Sequence, residues 1–281
     1  MKKMIGLLRA LLLNVLVVSS VIAENTVPTL SATPVVPPTE VAERYPGLLI
    51  GYLEAGAIPD DLSLVPAVPA AGSVEALEDA RLNRQQLTLQ NTKRWQWAAQ
   101  DASLVFPSAG RLFSCAADKL LEPEAMPHLN MLLRRSLTDF GLSTSWLKKH
   151  YQRPRPFLSN QQAICIPDEL EGLRTSGSYP SGHAAIGWGW ALIFAQMLPH
   201  RAKEIMARGQ AFGDSRAICN VHWASDVAAG QTMADFVFDR LRANPVFNAE
   251  FALAKAEVLA ARKELSGQRC RVESDVLNLN Y

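Results

Sequence analysis

The sequence predicts an all-α domain with a proline-rich arm ahead of it. Apolar residues recur at helical spacing through much of the chain, and no run alternates polar and apolar residues long enough to demand a strand. Helix-opening residues, Ser73, Thr92 and Pro123 among them, stand where the periodic segments begin.

The leader comes first. In MKKMIGLLRALLLNVLVVSSVIA, Lys2, Lys3 and Arg9 supply a positive start, an apolar run reaches Val18, and Val21-Ile22-Ala23 offers the small residues of a cleavage site. This reads as a secretory signal over residues 1–23, cut after Ala23, because the apolar core is short for a retained anchor. Cleavage leaves 258 residues with 25 Lys and Arg against 27 Asp and Glu, a net charge of −2. Such a chain has no global pull toward nucleic acid or an anionic membrane, so any cationic site must be local.

Residues 24–46 carry the proline-rich arm, and the irregular segment over 47–72 reads as chain that wraps the surface or edges a site. Helices are expected from Ser73 through SVEALEDARLNRQQLTLQ, from Asn91 or Thr92 through KRWQWAAQDA, and from Glu122 to about Lys149 with Pro123 in the first turn. Others should run from Gly182 to Leu198, over about 200–213 and 222–242, and from Pro245 to about Leu265. AAIGWGWALIFAQML is 15 residues long and contains a glutamine. That is short of the roughly 20 residues needed to span a bilayer, so it reads as a buried central helix. With no internal repeat, residues 47–281 are expected to form one helical domain.

Four cysteines, Cys115, Cys165, Cys219 and Cys270, lie too far apart for a zinc knuckle. In an exported chain an even count points to two disulfides, with three connectivities open; our expectation is Cys165–Cys219 with Cys115–Cys270, against four free thiols.

Cations and histidines gather in three short stretches: KKHYQRPRPF, YPSGH and SRAICNVHWASD. Each has a plain structural explanation alone: a helix-end charge run, a serine cap, a His–Asp hydrogen bond. Together they describe an oxyanion site. Lys148, Arg155 and Arg216 would form a permanently cationic cradle for a tetrahedral oxyanion. Ser181 and the amides of Gly182 and His183, at a helix start, would add neutral donors. His222 and Asp226 lie four apart on one helical face, so the carboxylate can fix the ring's tautomer and leave the other nitrogen as a lone pair. One histidine can then attack phosphorus while the other protonates the leaving oxygen. A metal bound by the HxxxD pair is the rival, and three converging cations would oppose it; we expect no metal and no cofactor.

Read in order, Lys148-x6-Arg155-Pro156, Pro180-Ser181-Gly182-His183 and Ser215-Arg216-x5-His222-x3-Asp226 resemble the three-part signature of the type 2 phosphatidic acid phosphatase (PAP2) superfamily. GSYPSGH resembles the version carried by the bacterial class A non-specific acid phosphatases, and the similarity extends from about Pro59 to about Leu265. Ala184, where that subgroup often has threonine, is a departure that touches no expected catalytic atom.

The resemblance implies a helical domain of the acid phosphatase–haloperoxidase type, often a homodimer. It implies a periplasmic enzyme that hydrolyses phosphate monoesters (nucleotides, sugar phosphates, aryl phosphates) without a metal and can pass the phosphoryl group to another alcohol. His222 would be the nucleophile, Asp226 its orienting partner and His183 the acid and then the base. Lys148, Arg155, Ser181, Gly182 and Arg216 would bind phosphoryl oxygens. Ser178, Tyr179 and His150 would line the substrate mouth, although turn chemistry and an exposed helix end explain them as well. A vanadium haloperoxidase, a lipid phosphatase, an apyrase-like enzyme and an exported phosphate-binding protein are the alternatives. Chain length, the absence of membrane spans after cleavage and the filled signature favour the phosphatase.

Overall fold

The computed structural model describes residues 38–264 and 267–281, so the leader over 1–23 and most of the arm over 24–46 lie outside the described residues. A small hairpin joins β1 (Glu43–Tyr45) to β2 (Leu48–Leu49) across the expected arm–domain boundary. Strands of three and two residues are too short to leave an alternating pattern, which is why periodicity did not show them.

Helices make up the rest: α1 (Val74–Leu87), α2 (Lys93–Asp101), α3 (Ser114–Ala117), α4 (Pro127–Leu142), α5 (Ser145–Tyr151) and α6 (Pro156–Asn160). They continue with α7 (Leu170–Arg174), α8 (Gly182–Met197), α9 (Ala202–Ile218), α10 (Ala224–Arg242), α11 (Pro245–Ala260) and α12 (Gln268–Leu277). The caps are those the sequence offers. Ser73 accepts from Ala76 N at 3.2 Å, Thr92 from Trp95 N at 3.4 Å, and Asn244 from Val246 and Phe247 N ahead of Pro245.

The single helix expected from Glu122 to about Lys149 is two helices, and it starts later. A helix begun at Glu122 would need an amide proton from Pro127 for the Pro123 carbonyl, and proline has none. Residues 122–126 therefore turn, and α4 opens on Pro127. At its far end Ser143 Oγ donates to Phe140 O (2.6 Å) and Thr144 Oγ1 to Gly141 O (3.1 Å). These hydroxyls occupy carbonyls that a further turn would use, and α5 starts afresh.

At the centre lies α8, buried on almost every side and packed against α9, α10 and α4. Gly187 and Gly189 let aromatic rings close on it: a Cβ there would sit 2.1 Å from Phe212 Cδ1 and 2.4 Å from Phe140 Cε1. Among the described residues no helix is long and apolar enough to cross a membrane.

Both expected disulfides form, Cys165–Cys219 and Cys115–Cys270. The second fastens α12 to α3, bringing into the domain a tail outside the sequence resemblance. Near the start of the described chain, residues 49–53 are clamped to α4. Thr138 donates to Leu49 O, Arg135 to Ile50 O and Gly51 O, and Asp139 accepts from Tyr52 N and Leu53 N.

Candidate active site

The three cation-bearing stretches meet at the N-terminal end of α8. Helix α5 carries Lys148 and stops where Gln152 enters the left-handed region (φ 45°), after which Pro154 and Pro156 prevent its renewal. Lys148 Nζ donates to the carbonyls of Gly177 (3.1 Å) and Ser178 (3.2 Å). Gly177 permits this approach, since a Cβ there would lie 2.5 Å from the Lys148 carbonyl oxygen.

Arg155, buried at the start of α6, fastens two loops together. Its Nε donates to Leu173 O and Ser176 O, its Nη2 to Ser176 Oγ and Gly177 O, and its Nη1 to Val221 O at 2.8 Å. That same Nη1 lies 3.1 Å from His222 Nε2. A guanidinium can only donate, so Nε2 presents its lone pair and the ring proton belongs on Nδ1. Nδ1 lies 3.4 Å from Asp226 Oδ2, an ion-pair contact longer than a well-formed hydrogen bond.

Ser181 caps α8 by accepting from Ala184 N, and its own amide donates to Asp226 O at 2.9 Å. The motif therefore rests directly on the start of α10. His183 points its Nε2 at the carbonyl of Ala102, 3.0 Å away at the end of α2. Arg216, in the last turn of α9, is 1% exposed, yet its Nε and Nη1 have no partner among the described residues. Such unpaired donors on a buried cation are costly unless an anion takes them.

The closeness of these groups shapes their electrostatics. Burial and then Arg155, Lys148, Arg216 and His183 push His222 well below the ordinary histidine range. His183 is pushed the same way by burial and by Arg216, Lys148 and Arg155, while the Ala102 carbonyl pushes it back up. Lys148 is lowered by burial and Arg155. Burial lowers Arg155 and Arg216 to about 10, which leaves both charged. Among the described residues no group of three or more His, Cys, Asp and Glu is placed to hold a metal ion.

The three residues expected at the substrate mouth are placed differently from one another. Ser178 and Tyr179 are buried, and Tyr179 gives its hydroxyl proton to Pro66 O. His150 is exposed on α5, stacked on Trp146 with ring centroids 5.4 Å apart.

Sequence reasoning missed what lies behind Asp226. Arg153 Nη1 donates to Asp226 Oδ1 at 2.6 Å and to Ser225 Oγ at 2.7 Å, and its Nη2 donates to Asp79 Oδ2 at 2.8 Å. Asp79 also accepts from Ser225 N and Ser225 Oγ. Helix α1, the source of Asp79, turns polar residues inward. It buries Asp79 and Asn83 and leaves Val74 and Leu77 largely exposed, at 78% and 63%. Two polar residues four apart on one face were the available signal.

Comparison with known proteins agrees with this geometry. The PAP2 superfamily matches residues 125–238, which span all three motifs. An acid phosphatase of Zymomonas mobilis is 39% identical over 72% of this chain and 77% of its own length. A non-specific acid phosphatase of Providencia stuartii is 35% identical over 81% of this chain and 92% of its own length. The chain belongs to the PAP2 superfamily. Within the PAP2 superfamily it is an acid phosphatase, and a non-specific acid phosphatase of Salmonella typhimurium is 37% identical over 69% of it. The PAP2 match ends before α11 and α12, so the C-terminal brace described above lies beyond it.

Proposed function

We propose that this acid phosphatase hydrolyses phosphate monoesters through a phosphohistidine on His222, without a metal. One observation carries the reading: the wholly buried Arg216, with donors unpaired, beside two further cations and the start of α8. Lys148, Arg155 and Arg216 neutralise the phosphoryl oxygens, a task a metal performs elsewhere. Ser181 Oγ already accepts from Ala184 N, so its proton is free to donate. The Gly182 and His183 amides in the first turn of α8 add two donors.

His222 Nε2 attacks phosphorus as the bond to the ester oxygen breaks. His183, protonated, gives its proton to the departing alkoxide. Water then attacks the phosphohistidine, His183 takes up its proton, and inorganic phosphate leaves with His222 neutral again. A second alcohol in place of water gives phosphotransfer. Asp226 holds the His222 proton on Nδ1 and stabilises the charge that ring acquires.

An acidic working range follows from the burial and cations that lower His183: its proton is present below the lowered pKa and lost as pH rises through it. Two disulfides support export, which the leader over 1–23 would direct to the periplasm. Nucleotides, sugar phosphates and aryl phosphates share the one group that this cradle recognises. Pairing into a homodimer, which the resemblance implies, belongs to the same proposal and is read by sedimentation of the mature chain.

The test is phosphate release from p-nitrophenyl phosphate across pH, with and without EDTA, followed by alkaline denaturing quench and analysis for phosphohistidine. Turnover at acidic pH that survives EDTA is expected. Loss in EDTA overturns the metal-free reading, and labelling that survives His222→Ala overturns the nucleophile.

A further inference from the structure

His183 is held by a backbone carbonyl, which raises the question of what holds the carbonyl. Ala102 ends α2, and its neighbour Asp101 is 1% exposed. Asp101 Oδ1 accepts from Arg208 Nη2 at 2.6 Å, and Oδ2 accepts from Ser215 Oγ at 2.6 Å and from Arg208 Nη1 at 3.4 Å. Ser215 immediately precedes Arg216 in the last turns of α9, and Arg94 on α2 donates to Ser215 Oγ at 3.0 Å and to Ala211 O at 3.1 Å. Arg208 is itself 1% exposed, and its Nε lies 3.1 Å from Glu273 Oε1 on α12, in ion-pair contact though off the line of an N–H bond. Tyr281 gives its hydroxyl proton to that same Glu273 oxygen.

We propose that Asp101 is a positioning residue for both the proton-transferring histidine and the cationic cradle. Through the end of α2 it aims the Ala102 carbonyl at His183 Nε2; through Ser215 it sets the turn that carries Arg216. Burying a carboxylate is unfavourable unless it is fully hydrogen-bonded, and Asp101 meets that condition only where α2 and α9 come together as they do here. Glu273 and the Cys115–Cys270 bridge complete the brace, since Glu273 balances the second half of the Arg208 charge. The tail beyond the PAP2 match thereby acts on the site without touching it. The groups facing His183 besides Ala102 are Arg216 of α9, Lys148 of α5, Arg155 and His222; the Asp101 charge also reaches Arg216, so the Ala102 arm is read from the His183 ring itself.

This inference rests on the acid role given to His183, and its test separates the two. In Asp101→Asn the carboxylate charge is lost with the shape kept. We expect kcat to fall by up to about 10²-fold, the size of effect a shift of about 1 Å produces. The alkaline limb of kcat/KM should move to lower pH, because a weakened Ala102 bond lowers His183 further. Ser215→Ala removes the Ser215 contacts to Asp101 and Arg94 but leaves the Arg208–Asp101 pair, so it should raise the Ki for inorganic phosphate several-fold and move that limb less than Asp101→Asn does. The nitrogen shifts of the His183 ring give a readout independent of turnover: Nε2–H in the parent, and a mixture of tautomers in Asp101→Asn. A folded Asp101→Asn with parental kcat, pH limb and ring shifts overturns the proposal. Should that variant not fold, Ser215→Ala decides, and an unchanged Ki overturns it. A parent chain with no turnover on any monoester, yet with the ring shifts moving as stated, overturns the phosphatase mechanism and leaves the positioning intact.

Discussion

The two histidines of the site sit in the same cationic surroundings and are backed by different chemistry. Behind His222 stands a carboxylate, Asp226, which Arg153, Ser225 and Asp79 hold from the far side. Behind His183 stands a neutral carbonyl, that of Ala102. A nucleophile that becomes positive as it bonds to phosphorus is helped by a fixed anion. An acid that must release its proton is better served by a partner that fixes the tautomer without adding a full charge. The two sites offset burial differently: burial and the cations lower His183 while the Ala102 carbonyl pushes it back up, and burial raises Asp226 while Arg153 pulls it back down. In the proposed mechanism the difference in backing would divide the labour between two otherwise similar rings.

The largest test of that division is a pair of alanine variants. His222→Ala should lose about 10⁴-fold or more in kcat with every substrate, since no phosphoenzyme can form. His183→Ala should lose about 10²–10⁴-fold with alkyl phosphates, the range of general acid catalysis. With p-nitrophenyl phosphate it should lose far less in phosphoenzyme formation, because that leaving group departs without a proton. Rapid-quench kinetics on the two substrates checks this. Equal losses in His183→Ala for both leaving groups would remove the distinction.

Next in size is the support behind the carboxylate. Arg153 spans two buried acids with a planar fork, so Arg153→Lys can keep the charge but serve only one of them. One lost charge-assisted bond is worth about 1.5–3 kcal/mol, so kcat should fall roughly ten- to hundredfold with KM little changed. Arg153→Met leaves the buried Asp79 and Asp226 without the cation that hydrogen-bonds them and should cost about 3–5 kcal/mol of stability, read by thermal melting. No side-chain change can be made to the partner of His183 itself, because that partner is backbone.

The contrast also explains what could be read before the structure. Lys148, Arg155, the SGH turn, Arg216 and the His222–Asp226 pair lie in three short motifs that, taken together, point to an oxyanion site. The central helix was legible because GWGWALIFAQM is apolar on every side. Arg153 sat unrecognised inside KKHYQRPRPF, two residues from Arg155, because its purpose depends on Asp79 far away in the chain. Asp79 was hidden by α1, which leaves Val74 and Leu77 exposed and turns Asp79 and Asn83 inward to reach Arg153 and the Asn160–Asn220 pair. Asp101 was hidden in the same way, its partners being Arg208 and Ser215 on α9. Local pattern shows the residues proposed to meet substrate; the atoms that hold them in place are long-range contacts and leave no spacing to read.

The smallest effect concerns protons taken up with an anion. In the empty site burial and neighbouring cations hold His183, His222 and Lys148 below their ordinary values. A tetrahedral dianion in the cradle cancels part of that repulsion and raises all three. A group whose pKa rises on binding is protonated by binding, so affinity grows as pH falls between the bound and free values, by about tenfold per pH unit for each proton taken up. Sulfate is the suitable probe, since its own charge is constant from pH 8 to 5, whereas that of phosphate is not. Calorimetry in buffers of different ionisation heat should show tighter binding at pH 5 than at pH 8 and net proton uptake. Burial changes elsewhere, such as Asp139 lifted to about 6 beneath residues 51–53, are common to the free and bound protein and cancel. Repeating the titration on His183→Ala and His222→Ala then returns to the comparison. The ring backed by the carbonyl should account for the larger share of the uptake, because the nucleophile has to remain neutral in the complex that reacts.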